Sequence, residues 1–419
     1  MSSGEVPGKH ARKGSEEPRR DETLIRTPER LQRLLREIES QEVIGVDTEF
    51  HGEKRYYPEL FLVQISTRNA CYALDPLEFE DLSPLGRVLG NRGIVKAIHS
   101  ARNDIAILRR EAGVEVESVF DTQIAASFLG YGEQCGLTFL LGEVCGIPFP
   151  RSFSMSDWSR RPLSDEQLTY ALDDVRHLLA LYSRLRGMLL ESGRLEWCLD
   201  EMAHLSLPRT YETGVESIYS RVRSSARLRR KGGEAVLWEL VRWREETARR
   251  EDRPRNRVVS DGVLQRIASM SPTSVESLRT LRGLPGGLVE SRGEEIARLV
   301  SRALAHPSPD IPGDTRRRMP PGASARRDVL RIYAKSRASE LGIARTVLLP
   351  GDLLDSLAAL GARDADRLGT LPGLEGWRQD VMGEDLRAIL TGRMSFSLAG
   401  SPGGGVSFSI VRERSESSS

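Results

Sequence analysis

Cysteine is scarce in this sequence: four residues in 419, at Cys71, Cys135, Cys145 and Cys198. They form no Cys-x-x-Cys pair and lack the paired spacing of a zinc site. A disulfide-stapled scaffold is therefore excluded, and reduced, structural cysteines are expected in a chain long enough to build its own cores. Long apolar runs are missing as well. No stretch approaches the roughly 18 apolar residues of a membrane-crossing helix. The first 22 residues, MSSGEVPGKHARKGSEEPRRDE, are charged and lack the apolar middle of a secretory signal. A cytoplasmic location with no membrane partner is the expectation. Charge of one sign is also absent: the net charge is +1, which argues against a uniformly basic nucleic-acid binder.

What is present is an ordinary globular composition, 39% apolar and 29% charged, in a chain too long for one core. Residues 1–22 read as a disordered extension with nothing to bury. A mixed α/β unit is predicted over 23–212. It begins with a helix capped by Thr27, with Pro28 at its first position, Arg30 where a capping box would need Glu or Gln, and Leu31, Leu34, Leu35 and Ile38 on one face. Strands follow at Val43–Val46, Leu60–Ser66, Cys71–Leu74 and Ile94–Ile98. Helices follow at Ser100–Glu111, Thr122–Leu129, Leu137–Val144 and, as one long element, about Ser164–Leu190. Strands interleaved with helices predict a sheet covered on both faces.

Past residue 215 the strand signals vanish. Val236, Leu237, Leu240, Val241 and Trp243 mark an amphipathic helix, and VVSDGVLQRIASM with LRGLPG is echoed some 90 residues later by LLPGDLLDSLAAL with TLPGLEG. Two homologous helical modules, 215–305 and 325–398, account for the echo. The Pro/Gly/Arg-rich stretch 306–324 reads as their linker and 399–419 as a disordered tail. Basic residues cluster from Arg221 to Lys231 and from Arg316 to Arg337. They are either solvated helix faces or a surface that tracks phosphates.

The chemistry-bearing residues are acids. Asp47-Thr48-Glu49 puts two carboxylates on one face at the end of a buried strand, where unpaired negative charge is costly. A hard cation such as Mg²⁺ or Mn²⁺ is the natural occupant between them. Asp104 opens a helix after the strand ending at Ile98, an ordinary position for an acid. Tyr170 and Asp174, spaced i, i+4, share one helix face, whereas Asp173 lies about 100° round it.

Taken together, DTEF with RYYPELFLVQIS, HSARNDIAIL, and DWSRRPLSDEQLTYALDDVRHLL resemble the three motifs of the ribonuclease D family, within the DEDD superfamily of 3′–5′ exonucleases. The third motif resembles the subtype with Tyr in place of His. The resemblance spans roughly residues 25–195. It implies a ribonuclease-H-like fold with a five-stranded mixed sheet, metal ligands at Asp47, Glu49, Asp104 and Asp174, and a catalytic tyrosine at Tyr170. It further implies two divalent ions, Mg²⁺ or Mn²⁺, about 4 Å apart, release of nucleoside 5′-monophosphates, and RNA, transfer-RNA precursors above all, as substrate. A monomer is expected. Within 215–305, Trp243-Arg244-Glu245, Ala248, Asp252, Pro254-Arg255 and the run Val258–Ala268 resemble the HRDC domain; the later copy resembles it more weakly. Such modules bind nucleic acid or brace the catalytic unit. His99 and His177 read as structural, and Gln64 as either a substrate contact or a partner for backbone. A DNA-directed exonuclease and a non-catalytic nucleic-acid-binding protein are the alternatives.

Overall fold

Val43, Ile44 and Val46 suit an extended chain because β-branched side chains pack well on a pleated surface. In the computed structural model they open β2 (Val43–His51), which runs five residues beyond the predicted end at Val46. Asp and Glu have little strand preference of their own. The extension is imposed by antiparallel pairing with β3 (Glu59–Ser66), which continues to His51 opposite Glu59. The described residues are 23–148, 156–211, 214–225, 228, 232–308, 311, 320–400 and 406–412. The expected N-terminal extension and much of the expected linker lie outside them.

β1 (Leu24–Ile25), β4 (Cys71–Leu74), β5 (Val95–Ile98) and β6 (Val119–Asp121) complete a six-stranded mixed sheet in the order β1-β4-β3-β2-β5-β6. β2, β5 and β6 are mutually parallel, and β3 is antiparallel to β2 and β4. The fold is thus a ribonuclease-H-like mixed sheet flanked by helices, as expected, but with six strands where five were expected; the short β1 and β6 are the two that the residue pattern did not predict. The flanking helices are α1 (Pro28–Ile38), α2 (Arg102–Ala112), α3 (Thr122–Ser127), α4 (Leu137–Cys145), α5 (Asp165–Arg176), α6 (Leu178–Glu191) and α7 (Leu195–Ala203). α1 starts as its sequence dictates: the Thr27 hydroxyl accepts the Arg30 N–H, with Pro28 in the first turn.

Two expectations are corrected. The single helix over Ser164–Leu190 is broken at His177, whose φ of −108° and ψ of 2° are not helical. No Gly or Pro marks the break. Packing causes it: α5 lies across β2, β3 and β4, while α6 turns from β2 towards β5. The tail expected to be disordered from residue 399 instead carries a hairpin of β7 (Met394–Gly400) and β8 (Val406–Arg412), paired from Met394–Arg412 to Gly400–Val406. Its sequence, MSFSLAG and VSFSIVR, alternates with the period of two that a strand requires.

The helical half holds α8 (Val215–Ser225), α9 (Gly233–Arg250), α10 (Asp261–Met270) and α11 (Gly286–Ala305), then α12 (Ala323–Leu341), α13 (Gly351–Ala359) and α14 (Trp377–Leu390). Its two parts are buried differently. The first module packs around its own core of Val236, Leu237, Leu240, Leu264, Ile267 and Val300. The core of the second, including Leu330, Tyr333, Leu357 and Trp377, is continuous with that of the α/β unit. No helix among the described residues is long and apolar enough to cross a membrane. None of the four cysteines is in a disulfide.

Candidate active site

Three elements meet at the end of β2. The strand carries Asp47 and Glu49 on one face, with Thr48 between them pointing to the other. α5 crosses the first face and delivers Asp174; α2 approaches from the other and delivers Asp104. One carboxylate oxygen from each of Asp47, Glu49 and Asp174 lies within 4.8 Å of the others. Asp104, only 6% exposed, accepts a hydrogen bond from the Thr48 hydroxyl. Its charge is felt by both Asp47 and Glu49. Three of the four acids expected to act together, Asp47, Glu49 and Asp174, therefore converge, and Asp104 lies beside them, outside that oxygen cluster and bonded to Thr48.

Crowding four carboxylates under cover resists their ionisation. Burial, reinforced by Asp104, Asp174 and Glu49, pushes the Asp47 carboxyl well above the usual carboxylate range. Burial and the charges of Asp174 and Asp104 push Glu49 up to about 8. Burial raises Asp104 to about 6 against the hydrogen bond from Thr48. It raises Asp174 to about 6 against the hydrogen bond from Tyr170. The donor set is all hard oxygen, and its unneutralised charge is the cost a divalent cation would remove.

Tyr170 donates its O–H to Asp174, and its ring leans on Trp158 with centroids 6.1 Å apart. Burial and the surrounding carboxylates push its phenol above the ordinary range, which keeps its proton on the bond to Asp174. Asp173 faces elsewhere, paired with Arg176 at 2.7 Å. α5 is entered through a capping box: Ser164 accepts the Gln167 N–H at 3.1 Å, and the Gln167 side chain accepts the Ser164 N–H at 2.9 Å. Before it, Arg161 grips Asp75 at 2.5 and 2.7 Å and donates to the Phe61 and Trp158 carbonyls, each at 2.8 Å. That fork fixes the approach to α5 against β3 and the end of β4.

Asp121, absent from the sequence reading, organises the approach to Asp104. Its carboxylate accepts N–H groups from Ser100 and Ala101 at 3.2 and 2.8 Å, and from Gln123 and Ile124 at 2.8 and 3.2 Å. One side chain thus caps α3 and holds the turn into α2, where Ser100 adopts a left-handed φ of 60°. The available signal was an acid immediately before the predicted helix at Thr122. His99 bonds Thr122 through Nδ1 at 2.9 Å, and burial lowers its pKa. His177 sits at the α5–α6 break. Gln64 does not serve as a partner for backbone. It is fully buried opposite Asp47, and both atoms of its amide group lack a partner among the described residues.

The basic stretches are described only in part. Arg223 pairs with Glu234, Arg327 with Asp355 at 2.6 Å, and Arg337 with Glu340 at 2.9 Å, which favours the structural reading for those residues.

Comparisons with known proteins agree with this geometry. A family model of 3′–5′ exonucleases matches residues 23–190, and an HRDC domain model matches residues 233–300. Ribonuclease D of Granulibacter bethesdensis is 35% identical over 90% of this chain and 95% of its own length. Ribonuclease D of Nitrobacter hamburgensis is 33% identical over 90% and 97%. The crystal structure of Escherichia coli RNase D, described as an exoribonuclease involved in structured RNA processing, matches with a TM-score of 0.80 at 28% identity. It covers 88% of this chain and 98% of that one.

Proposed function

Because this chain belongs to the ribonuclease D family, we propose that Asp47, Glu49, Asp104 and Asp174 together hold two divalent cations, Mg²⁺ or Mn²⁺, and that the chain trims the 3′ ends of structured RNA, transfer-RNA precursors above all. Family membership makes it a 3′–5′ exoribonuclease, a hydrolase of the phosphodiester backbone. One observation carries the metal reading: carboxylate oxygens of the half-buried Asp47, Glu49 and Asp174 crowd within 4.8 Å of one another, and their carboxyls are forced upward, an arrangement that hard cations stabilise.

When bound, such cations supply an activated water and neutralise charge on the phosphate and the departing 3′ oxygen. The chain's own groups set the geometry. Thr48 fixes the rotamer of Asp104, and Tyr170 fixes that of Asp174 while its protonated phenol orients the attacking water. Tyr170 acts first by positioning, because a phenol with a reference pKa near 10 is a poor base at neutral pH, and proton transfer is its secondary role. The product is a nucleoside 5′-monophosphate.

The test is hydrolysis of three substrates with Mg²⁺ or Mn²⁺: 3′-extended transfer RNA, unstructured RNA and single-stranded DNA. Nucleoside 5′-monophosphates from the RNAs, abolished by EDTA, are expected. Equal cleavage of DNA would overturn the substrate reading, and activity that survives EDTA would overturn the metal reading.

A further inference from the structure

β2 carries its two acids close to an irregularity. Glu49 pairs with Leu62 but Phe50 pairs with Leu60, so Phe61 is left over as a bulge directly after Glu49. Bulges of this kind re-aim neighbouring side chains. Beyond it only Phe50 and His51 remain paired, and then residues 52–58 run with no regular structure to the start of β3. Left to itself, such a strand end is poorly fixed.

The first helical module holds that loop from outside. The Tyr56 hydroxyl donates to Glu245 of α9 and accepts from Arg249 Nε at 2.9 Å and Arg255 Nη2 at 3.1 Å, which saturates a phenol oxygen. Arg255 completes the cluster, its guanidinium 5.0 Å from the Tyr56 ring centroid and its Nε 2.6 Å from Glu245. Just past α9, Asp252 accepts the Tyr56 N–H at 3.0 Å, the Tyr57 N–H at 3.3 Å and Arg55 at 3.2 Å. Asp252 does this from a left-handed φ of 44°, a conformation most side chains avoid. Glu245 is only 1% exposed. On its other side the loop meets α2, the helix of Asp104: Arg110 donates to the Pro58 carbonyl and lies over the Tyr57 ring.

Three of the four acids therefore sit on elements joined through one short loop, and the helical module clamps its centre. We infer that Tyr56 is a positioning residue through which this module fixes the end of β2, and with it the aim of Glu49. This rests on the acid cluster being the catalytic centre. The module then contributes to turnover on every substrate, including those too short to touch it. Simple RNA capture would assist only long substrates.

The experiment uses the full chain with Mn²⁺ and two substrates, a ribodinucleotide and a structured RNA. Wild type inactive on the structured RNA would overturn the proposed function and this inference with it; wild type active on that RNA but inactive on the dinucleotide would overturn the inference alone, which requires turnover of substrates too short to touch the module. Tyr56→Phe, Glu245→Gln and Asp252→Asn are then compared. We expect kcat on the dinucleotide to fall about tenfold with KM within about twofold, together with a severalfold weaker Mn²⁺ affinity by calorimetry. The Tyr56→Phe/Glu245→Gln double variant should lose no more than the worse single one, since both break one cluster. Full dinucleotide turnover with loss confined to the structured RNA would overturn the inference. So would a loss that tracks a lowered melting temperature while Mn²⁺ affinity is unchanged.

Discussion

At Asp173 and Asp174 one step along α5 turns the side chain by about 100°, and the two neighbours enter different chemistry. Asp174 meets Asp47, Glu49 and the Tyr170 hydroxyl, whereas Asp173 pairs with Arg176. Asp174→Asn is expected to lower kcat by more than about a hundredfold, beyond the usual range for losing a supporting partner of a ligand, while RNA binding persists. Asp173→Asn should stay close to wild type. A dead Asp173→Asn beside an active Asp174→Asn in single-turnover assays would reverse the assignment. The same acids dictate a pH dependence. Their carboxyls are raised in the folded state, so between about pH 4 and 8 the fold binds more protons than the unfolded chain, and their contribution to stability falls as pH rises. Lys96, which burial lowers to about 8, acts in the opposite sense only from about pH 8 upward, so the useful quantity is the difference between wild type and Asp47→Asn in EDTA between pH 5 and 8. The variant should melt higher than wild type at pH 8, with the gap closing at pH 5. Mg²⁺ should raise the wild-type melting temperature more than that of the variant. A gap independent of pH in thermal melts would contradict the reading of the cluster.

Among the elements, the β2–β3 pair and α6 are packed too closely for a side chain at Gly45. A Cβ there would lie 2.3 Å from the Ser66 hydroxyl and 3.1 Å from the Leu178 Cβ. Gly45→Ala is expected to cost about 1–3 kcal/mol in denaturant unfolding, the usual range for overpacking. The Ser66 hydroxyl is buried with no partner among the described residues, so Ser66→Ala should be neutral or stabilising, and it should recover part of the loss when combined with Gly45→Ala. Full additivity of the two would mean the contact does not set the spacing. The close approach also accounts for what the helix pattern could not reveal. The break at His177 lets Leu178 reach β2, and neither residue is a helix breaker by type. In β2, likewise, the apolar run to Val46 was legible, but its extension through Asp47 to His51 depends on β3, which lies beyond any local window.

Across the whole molecule the two helical modules, alike in sequence, attach differently. The first touches the α/β unit through an ionic cluster at Tyr56. The second joins its core: Trp377 stacks on Trp197 with centroids 5.2 Å apart and meets Phe128 edge-on at 5.5 Å. Arg378 pairs with Glu201 at 2.7 Å, and the Ala344 N–H donates to the Ser127 carbonyl at 2.8 Å. Trp377→Ala should therefore destabilise the α/β unit itself, by about 3–5 kcal/mol. This should appear as a lower melting temperature for activity on dinucleotides and structured RNA alike. Were activity on dinucleotides to survive heating as in wild type, the shared core would not be cooperative.

The α/β class and most strand and helix positions before residue 200 were legible in the sequence, which also pointed to two helical modules and to the acids proposed here as metal ligands. These follow from local periodicity, capping and the cost of buried charge, all of which act over a few residues. The tertiary structure alone decided that Asp121 would bind both the turn to Asp104 and the start of α3, and that the chain would bend at His177. It also decided that one module would bond to the loop at residues 52–58 and the other would share the core. Each of those outcomes depends on contacts between residues far apart in the chain, whose free energy exists only once the sheet and helices have assembled.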